Sequence, residues 1–366
     1  MEVKKYMTDY EMYLVSTPLH LFLASAIASQ HSDKKHILVF IDQVSTTDNF
    51  YYEQVNKWNG APFEETYIFP GRIKGFIEKR NSRKEIFSAL DVIIEQFEPA
   101  QIYTGNDRRI EFQYSMFKSQ EYGGAEGNYI DEGTYTYLGR PPSLGVGDMV
   151  IDSTIKKIAY GFWWKNPPTI GGSAWVSNVY AAFPALVHPL LEKKKLIELS
   201  SEWLQSDNLN TFSAQLLATK DINFDSIQAI DVLIALPHES IIAKNIYYKD
   251  SLISLISQLT DQGKNIAVKY HPRDIKQDAL ELKAIGCQLI PKQVNFEALL
   301  LIFPKNRTIL GDFSSVLLNA RWLRPDLRVI AALEDKTSVS EQLYSLYTSL
   351  KIEMVDVKEL NSLDNF

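Results

Sequence analysis

Short apolar runs alternate with longer stretches of helical periodicity along most of the chain. MYLVST (12–17), HILVFID (36–42) and QIYTG (101–105) have the length and residue types of buried strands. PLHLFLASAIASQ (18–30), between the first two runs, has the pattern of a helix and carries proline in its first turn. Strands that alternate with helices in this way indicate a parallel sheet covered on both faces.

The same pattern continues to about residue 133. We expect a helix over TTDNFYYEQVNKW that begins at a Thr or Asp N-cap. A long amphipathic helix is predicted over 72–97, broken near Asn81, and another runs from about Arg108 to Lys118. ETYIFP and NYIDEG (128–133) are predicted as further strands of the same sheet.

From about residue 143 to 189 the alternation breaks. The segment is dense in Trp, Tyr, Phe, Pro and Gly, and we interpret it as loops and short helices. Alternation then resumes, with strands predicted at DVLIALP, NIAVKY, CQLIP, RTILG and LRVIAA. Helices are predicted at KDSLISLISQL, IKQDALELKAI, NFEALLLIF and SSVLLNARWL. The fold class is therefore α/β, with one Rossmann-like domain over 1–190 and a second over 191–366.

Composition and charge narrow the function classes. A 366-residue chain with 45% hydrophobic and 23% charged residues is typical of a soluble two-domain protein. The formal net charge of −7 argues against general binding to nucleic acid. The single cysteine, Cys287, excludes internal disulfides and cysteine-based zinc sites, and its apolar surroundings predict a core thiol. Neither a signal peptide nor a membrane-spanning run is visible, so we expect a cytoplasmic protein.

Three polar clusters follow predicted strands: IDEG (130–133), KYHPRD (269–274) and GDFSS (311–315). In an open parallel sheet, ligands bind outside the carboxyl ends of the strands. The coincidence of three such clusters therefore carries more weight than any of them alone. It predicts a ligand site at these strand ends.

The two clusters of the second domain suit an anion. Ser314 and Ser315 lie at the start of a predicted helix. Their hydroxyls and the N–H groups of the first helical turn form a ready anion site. Lys269, His271 and Arg273 place positive charge at another strand end, and His271 can also donate a proton. The structural alternatives are an ordinary serine N-cap and a His-Pro surface loop.

The acidic cluster suits proton removal. Asp131 and Glu132 are adjacent, and because successive side chains of a strand point to opposite faces, only one is expected to face a ligand. An acidic turn without function is the alternative. No phosphate-loop motif, no G-x-G-x-x-G motif and no convincing metal cluster is visible, so we predict an anion site for one phosphate without a metal.

These motifs resemble those of the bacterial sialyltransferases of lipooligosaccharide and capsule synthesis, including the polysialyltransferases. The family's D/E-D/E-G, H-P and S-S/T motifs occur here in order, as Asp131-Glu132-Gly133, His271-Pro272 and Ser314-Ser315. S-T-P-L-H near the N-terminus adds to the resemblance. The architecture is similar along the whole chain, whereas the motif residues are few.

The resemblance implies a GT-B fold, with two Rossmann-like domains facing across a cleft. It implies CMP-sialic acid as the donor, a metal-independent transfer with inversion, and no cofactor. Carried over by position, Asp131 is the general base and His271 contacts the CMP phosphate and protonates the leaving group. Ser314 and Ser315 bind the phosphate or the sialic acid carboxylate. Domain closure would assemble the site.

Other residues at strand ends are further candidates. Lys269, Pro272, Pro237 and Glu297 are assigned to the donor side, with Glu297 as an acceptor for ribose hydroxyls. Thr17, His20, Asn106, Asp107 and Glu132 are assigned to the acceptor side or to sialic acid. Packing or capping roles are equally consistent with each of these residues. Trp163, Trp164 and Trp175 either stack on sugars or pack in the protein.

Two other functions remain open. One is a GT-B sugar-nucleotide epimerase, or another nucleotide-sugar glycosyltransferase, which a nucleotide-binding screen separates from the main interpretation. The other is a non-catalytic sugar-binding protein with two α/β lobes. The expected partners are CMP-sialic acid and a glycan acceptor. Basic segments such as 71–85 leave peripheral contact with a membrane open, and a homodimer stays open as well.

Overall fold

The computed structural model describes residues 9–71, 75–139, 161, 163–244, 246–333 and 339–362. The chain divides into two compact units, the first ending at Trp203 and the second beginning at Leu204. The predicted boundary at 190 falls before a strand, Lys195–Glu198, that pairs with the sheet of the first unit. This strand is therefore counted with the first unit here.

In the described part of the first unit, seven parallel strands form one sheet in the order β3-β2-β1-β4-β5-β6-β7. Strand order reverses between β1 and β4, which pair directly, and a doubly wound sheet binds ligands beside such a reversal. The strands are β1 (Tyr10–Val15), β2 (Lys35–Gln43), β3 (Glu65–Pro70), β4 (Gln101–Thr104), β5 (Glu126–Ile130), β6 (Asn178–Ala181) and β7 (Lys195–Glu198).

The helices of this unit are Pro18–Gln30, Phe50–Asn56, Phe76–Phe97, Ile110–Ser119 and Thr134–Leu138, with a short 3₁₀ helix at Gln120–Tyr122 and another at Pro184–Leu186. Two expectations are corrected. The N-cap of the second helix is Asn49, whose side chain accepts from Tyr52 N at 3.0 Å, and not a Thr or Asp. The long helix passes Asn81 without a break, and its expected start at 72 lies outside the described residues.

The aromatic segment contains a strand that the sequence pattern did not reveal. β6 lies within the stretch interpreted as loops and short helices, and it pairs with β5 in parallel. Asn178 Nδ2 donates to Asn128 Oδ1 at 2.7 Å, so a polar residue occupies a buried strand position because it finds its partner on the next strand. Residues 143–160 and 162 of the aromatic segment lie outside the described residues.

In the described part of the second unit, six parallel strands form a sheet in the order β10-β9-β8-β11-β12-β13. They are β8 (Val232–Ala235), β9 (Ile266–Lys269), β10 (Gln288–Ile290), β11 (Thr308–Gly311), β12 (Arg328–Leu333) and β13 (Glu353–Asp356). The first five correspond to the predicted strands, and β13 was not predicted. Its sequence is Glu-Met-Val-Asp, two apolar residues between two acidic ones, which is too short a run and lacks the alternation that would reveal a strand.

The helices of the second unit are Ser201–Leu204 at its border, Asp207–Ala218, Phe224–Gln228, Glu239–Ile242, Ile246–Asp261, Phe296–Ile302, Ser315–Leu323 and Glu341–Ser349, with 3₁₀ turns at Leu282–Ile285 and Val357–Ser362. The predicted helix over IKQDALELKAI is wrong, because only its 3₁₀ turn forms. The Asp278 carboxylate accepts from Tyr270 OH and from the backbone N–H groups of Leu282 and Lys283. A short side chain that takes backbone donors in this way favours a turn over a helix.

Each unit has its own apolar core. In the first unit, Met12 to Val15 of β1 are all at most 1% exposed, and the helix Pro18–Gln30 packs on the same strand. In the second unit, β8, β9 and the helix Ile246–Asp261 supply about half of the buried side chains of one core cluster. Cys287 is buried there as predicted, and burial raises the pKa of its thiol to about 11. Among the described helices, none is long and apolar enough to cross a membrane.

Candidate active site

The Asp131 carboxylate lies just after β5 and is almost completely buried. Its Oδ1 accepts from Gly133 N at 2.7 Å and from Thr136 Oγ1 at 2.8 Å. Its Oδ2 accepts from Ala182 N at 3.0 Å and from the hydroxyl of Tyr137. A carboxylate offers about four acceptor sites, so these four donors occupy the whole group.

The contacts of Asp131 explain why the sequence folds as it does here. Gly133 has φ 94°, a left-handed conformation that favours glycine, and it turns the chain from β5 into the helix Thr134–Leu138. Burial raises the pKa of Asp131, and the hydrogen bonds from Tyr137, Ala182, Gly133 and Thr136 oppose that rise. Asp131 therefore fastens this helix and the end of β6 to the end of β5.

Glu132 is the more exposed of the two adjacent carboxylates, being half-buried where Asp131 is buried. Its backbone N–H donates to Thr136 Oγ1 at 3.2 Å, so the same turn fixes its position. The expectation was that one of the pair turns inward and the other faces a ligand. The structure turns Asp131 inward, and which of the two carboxylates removes a proton stays a prediction.

At the end of β1, Thr17 is the N-cap of the helix Pro18–Gln30 and accepts from His20 N at 3.3 Å. His20 is 2% exposed, and its Nδ1 lies 3.3 Å from Ser16 Oγ. A Cβ at Gly105 would lie about 2.1 Å from the His20 ring, so glycine at the end of β4 makes room for it. Burial lowers the pKa of His20 to about 4, so the ring is neutral near pH 7.

After β4, Asn106 and Asp107 shape the connection to the next helix. Asn106 Oδ1 accepts from Arg108 N at 3.1 Å, which forms a side-chain turn. Asp107 is 0% exposed, and its Oδ2 accepts from Ser173 N at 2.7 Å. Burial raises the pKa of Asp107 to about 6. Asp107 thus holds the aromatic segment, through Ser173, against the end of β4. Contact of Asn106 and Asp107 with a sugar stays a prediction.

The three tryptophans of the aromatic segment pack within the first unit. Trp163 and Trp164 are buried, and Trp163 stacks on Phe117 with ring centroids 6.2 Å apart. Trp175 Nε1 donates to Trp163 O at 3.2 Å, and Lys165 Nζ lies 4.2 Å from the Trp175 ring. In the structure these three side chains pack against the protein, whereas stacking on a sugar stays a prediction.

In the second unit, His271 is the second residue after β9. Its Nδ1 accepts from Arg273 N at 3.2 Å, so the neutral imidazole carries its proton on Nε2. Burial, and then the Arg273 charge, lowers the pKa of His271. The ring is therefore a neutral donor through Nε2–H near pH 7, with Pro272 exposed behind it.

His238 and Asp274 stand beside His271 and were not predicted as a group with it. The rings of His238 and His271 meet edge to face at 5.3 Å, and His238 Nε2 lies 3.7 Å from Asp274 Oδ1. Two histidines and a carboxylate resemble a metal site. However, Nδ1 of each ring accepts a backbone N–H, from Ser240 or from Arg273, so the neutral rings are protonated at Nε2. A histidine that binds metal donates from its other nitrogen, so these two rings are in the wrong tautomer for binding through Nε2.

Lys269, at the end of β9, and Glu297, in the first turn of the helix Phe296–Ile302, are both buried. Lys269 Nζ donates to Lys292 O at 3.3 Å, and burial lowers its pKa to about 8. Glu297 Oε1 accepts from Asn319 Nδ2 at 2.8 Å and Oε2 from Asn295 Nδ2 at 3.0 Å. Asn319 was not predicted, although it lies four residues after Ser315 and so on the same helix face. Pro237 is buried after β8.

Ser314 is the N-cap of the helix Ser315–Leu323 but does not cap it with its side chain. Its Oγ donates to Asp312 O at 3.4 Å, and its carbonyl accepts from Tyr347 OH at 2.9 Å. The first-turn N–H groups of this helix therefore lack the side-chain acceptor that a serine usually supplies. Both Ser314 and Ser315 are half-buried.

The strand order brings the donor-side candidates of the second unit to one edge. β9, β8 and β11 are neighbours, and they are followed by His271, Pro237 and Ser314 respectively. In the first unit, β1, β4 and β5 are neighbours, and they are followed by Thr17, Asn106 and Glu132. Each unit thus carries its predicted residues at the carboxyl edge of its own sheet.

Comparison with known proteins decides the family. The model of the alpha-2,8-polysialyltransferase family matches residues 11–332. The chain belongs to this family. The resemblance to bacterial sialyltransferases that its motifs suggested is thereby confirmed, and among curated proteins none matches the sequence closely enough to count as a relative.

Solved structures confirm the fold. The alpha/beta-galactoside alpha-2,3-sialyltransferase of Photobacterium phosphoreum is 14% identical with a TM-score of 0.58, and the match covers 96% of this chain and 99% of that one. A sialyltransferase of Photobacterium damsela is 13% identical with a TM-score of 0.57, and the match covers 95% of this chain and 81% of that one. The UDP-GlcNAc 2-epimerase of Methanocaldococcus jannaschii is 13% identical with a TM-score of 0.55, and the match covers 96% of this chain and 91% of that one. At such identities these likenesses show a GT-B fold of two Rossmann-like units and nothing finer.

Proposed function

We propose that this member of the family transfers sialic acid from CMP-sialic acid to a hydroxyl of a cell-surface glycan, a lipooligosaccharide or a capsular polysaccharide. The transfer proceeds with inversion and without a metal. The observation that carries the proposal is the grouping of His271, Pro237 and Ser314 at three neighbouring strand ends of one unit. Family membership supports the reaction class.

The donor side holds a single phosphate through neutral donors. His271 Nε2–H and the uncapped first turn of the helix Ser315–Leu323 both offer hydrogen bonds to phosphate oxygens. Such preorganised donors stabilise the negative charge that develops on the CMP phosphate as the bond to sialic acid breaks. Lys269 and Glu297 are assigned to the donor side, Glu297 as an acceptor for the ribose hydroxyls of CMP, with Asn319 as the residue that orients Glu297.

On the acceptor side we assign proton removal to Glu132, which differs from the expectation for Asp131. The Asp131 carboxylate already accepts four hydrogen bonds, so an acceptor hydroxyl would have to displace one of them. Glu132 is held by the same turn and is more exposed. Asp131 then acts as a positioning residue for the turn that carries Glu132.

A calorimetric titration tests the donor assignment. CMP should bind more tightly than CDP, UDP or UDP-GlcNAc, because the donors described suit one phosphate. Ser314→Ala should weaken CMP binding about tenfold without lowering stability, since the Ser314 hydroxyl caps no amide. Ser340→Ala is the matched control: Ser340 does cap its helix, accepting from Leu343 N at 3.3 Å, so this change should cost stability and leave CMP binding unaltered.

Tighter binding of UDP-GlcNAc than of CMP would reject the donor assignment and favour the epimerase. If Ser314→Ala and Ser340→Ala bind CMP with equal affinity, the start of the helix Ser315–Leu323 is not part of the CMP site.

A further inference from the structure

The segment after β9 carries His271 in a tight turn. Asp274 N donates to His271 O at 3.0 Å, which closes a four-residue turn, and Pro272 occupies its second position, where proline is favoured. Arg273 N donates to His271 Nδ1 at 3.2 Å within the same turn. The imidazole is thereby fixed to the backbone of the turn, so whatever holds the turn also sets the direction of His271 Nε2–H.

On the side of β8, the turn is held by Asp274. Its carboxylate is buried, and Oδ1 accepts from Glu239 N at 3.0 Å. His238 Nε2 lies 3.7 Å from the same oxygen. Because β8 and β9 are paired, this one carboxylate joins the segments that follow two neighbouring strands.

On the side of β10, the turn is held by Lys292. β9 and β10 pair in parallel, so the segments that follow them lie side by side. Lys292 Nζ donates to Asp274 O at 2.6 Å and to Lys276 O at 2.5 Å. It also donates to Ile275 O, between these two, at 3.3 Å. An ammonium group has three N–H donors, so three successive carbonyls use all of them.

The backbone of Lys292 is itself fixed. Val294 N donates to Pro291 O at 3.2 Å, which closes a turn over 291–294, and Val294 is completely buried. The carbonyl oxygen of Lys292 accepts from Lys269 Nζ at 3.3 Å. Lys292 therefore extends its ammonium group from a packed turn toward the turn that carries His271.

The position of the segment 274–276 depends on this ammonium group. The Ile275 side chain is 87% exposed, so apolar packing contributes little there. Three carbonyl oxygens that point to one site repel one another unless a positive charge lies between them. Lys292 supplies that charge, and since its three N–H groups are all used, none is left for a phosphate oxygen.

We propose that Lys292 is a positioning residue, which fixes the turn that presents His271 Nε2–H to the leaving phosphate. The inference rests on the proposed function, because His271 is assigned there to the phosphate of CMP. Lys292 lies outside the three motifs that indicated the site, and it acts through the backbone carbonyls and not through contact with the substrate. Donors fixed in this way are effective because they need no rearrangement as charge develops on the phosphate.

Hydrogen exchange in the protein alone tests the hold on the turn. Lys292→Ala should speed exchange at the N–H groups of Arg273 and Asp274 about tenfold. Propylammonium replaces the atoms that this substitution removes beyond Cβ, so adding it should slow the exchange again. Tetramethylammonium carries the charge without an N–H group and should not. Lys305→Ala is the matched control, because Lys305 is exposed in the same unit, before β11.

Exchange in the core strand β8 guards against a folding artefact. It should be the same in Lys292→Ala as in the wild type, because Lys292 holds only the turn. Faster exchange in β8 as well would show that Lys292 supports the fold in general, and it would overturn the inference. Equal exchange at the turn in Lys292→Ala and Lys305→Ala would overturn it too, and so would full restoration by tetramethylammonium.

A double-mutant cycle with CMP, measured by calorimetry, tests whether Lys292 acts through His271. Lys292→Ala alone should weaken CMP binding about three- to tenfold. In the His271→Ala background the same change should have no further effect. If Lys292 bound CMP itself, its effect would be equal in both backgrounds, and that result rejects the positioning role.

Turnover separates this inference from the proposed function. In Lys292→Ala, kcat/KM for CMP-sialic acid should fall about tenfold while KM for the glycan stays the same. Faster exchange at the turn that propylammonium reverses, without any release of CMP from CMP-sialic acid by the wild type, would keep the hold on His271 and reject the proposed reaction. Transfer at an unchanged kcat/KM in Lys292→Ala would keep the reaction and reject the inference.

Discussion

Replacing Asp131 by asparagine should destabilise the first unit and not only reduce activity. The carboxylate accepts from two backbone N–H groups, those of Gly133 and Ala182, and from the hydroxyls of Thr136 and Tyr137. The amide of Asn offers one oxygen, so whichever way it turns, its NH₂ group faces one of the two backbone donors. That donor cannot rotate away, whereas a hydroxyl can.

The cost can be estimated from these contacts. A hydrogen bond to a charged group contributes about 1.5–3 kcal/mol, and a buried donor left unsatisfied costs about 1–3 kcal/mol. We therefore expect Asp131→Asn to lower the free energy of unfolding of the first unit by about 3–5 kcal/mol. This is a large part of the roughly 5–15 kcal/mol by which a domain is stable. Glu132→Gln, at a half-buried position, should change stability by about 0.5 kcal/mol or less.

Urea unfolding followed by tryptophan fluorescence is the assay. Five of the six tryptophans, all except Trp322, lie in the first unit, so the signal reports mainly on that unit. Glu132→Gln should remain folded while transfer falls by about two to four orders of magnitude. If Asp131→Asn is as stable as the wild type and inactive, and Glu132→Gln is active, the base is Asp131 as the sequence suggested. If both are folded and active, the acidic motif forms only a turn.

Three further results are expected. His271→Ala should weaken CMP binding and slow transfer together, about tenfold or more in each; unchanged CMP affinity would place the phosphate elsewhere. Transfer should persist in EDTA, since the donors of the phosphate site are neutral groups and a helix end; a strict requirement for Mg²⁺ or Mn²⁺ would refute this description of the leaving group. Acid should weaken the first unit through Glu11, whose pKa falls from 4.5 to about 2 because hydrogen bonds from His31, His36 and Tyr13 outweigh the raising effect of burial. The native state then binds this proton less readily than the unfolded chain, so the stability that Glu11 contributes is full above about pH 4.5 and is lost as the pH falls toward 2. In Glu11→Gln the free energy of unfolding should therefore depend less on pH between about 4.5 and 2.

The sequence predicted the fold well wherever one residue type dominated an element. Buried parallel strands such as β8 and β9 are nearly continuous apolar runs, so they could be recognised without knowledge of their neighbours. β6 could not, because its Asn178 is tolerated only through Asn128 on the adjacent strand. The helix expected over 275–285 failed for a similar reason, since Asp278 takes its backbone donors.

In the candidate site, too, some features follow from the local sequence and others depend on distant parts of the chain. Strand ends placed His271, Pro237 and Ser314 together because the order of strands in a doubly wound sheet is regular. The orientation of Asp131 and Glu132 depended on Tyr137 and on Ala182, which is 51 residues away in the chain. Alternation along a strand says that two neighbours diverge, and only the packed turn shows which of them is buried.

The most direct test of the proposed reaction is an incubation of the purified protein with CMP-sialic acid and a panel of glycans, with release of CMP and the mass of the product both measured. We expect a glycan heavier by one or more sialic acid residues, with one CMP released for each residue added, and no reaction with UDP-GlcNAc. Conversion of UDP-GlcNAc to its 2-epimer, with CMP-sialic acid left intact in the presence of every glycan, would contradict the proposed function.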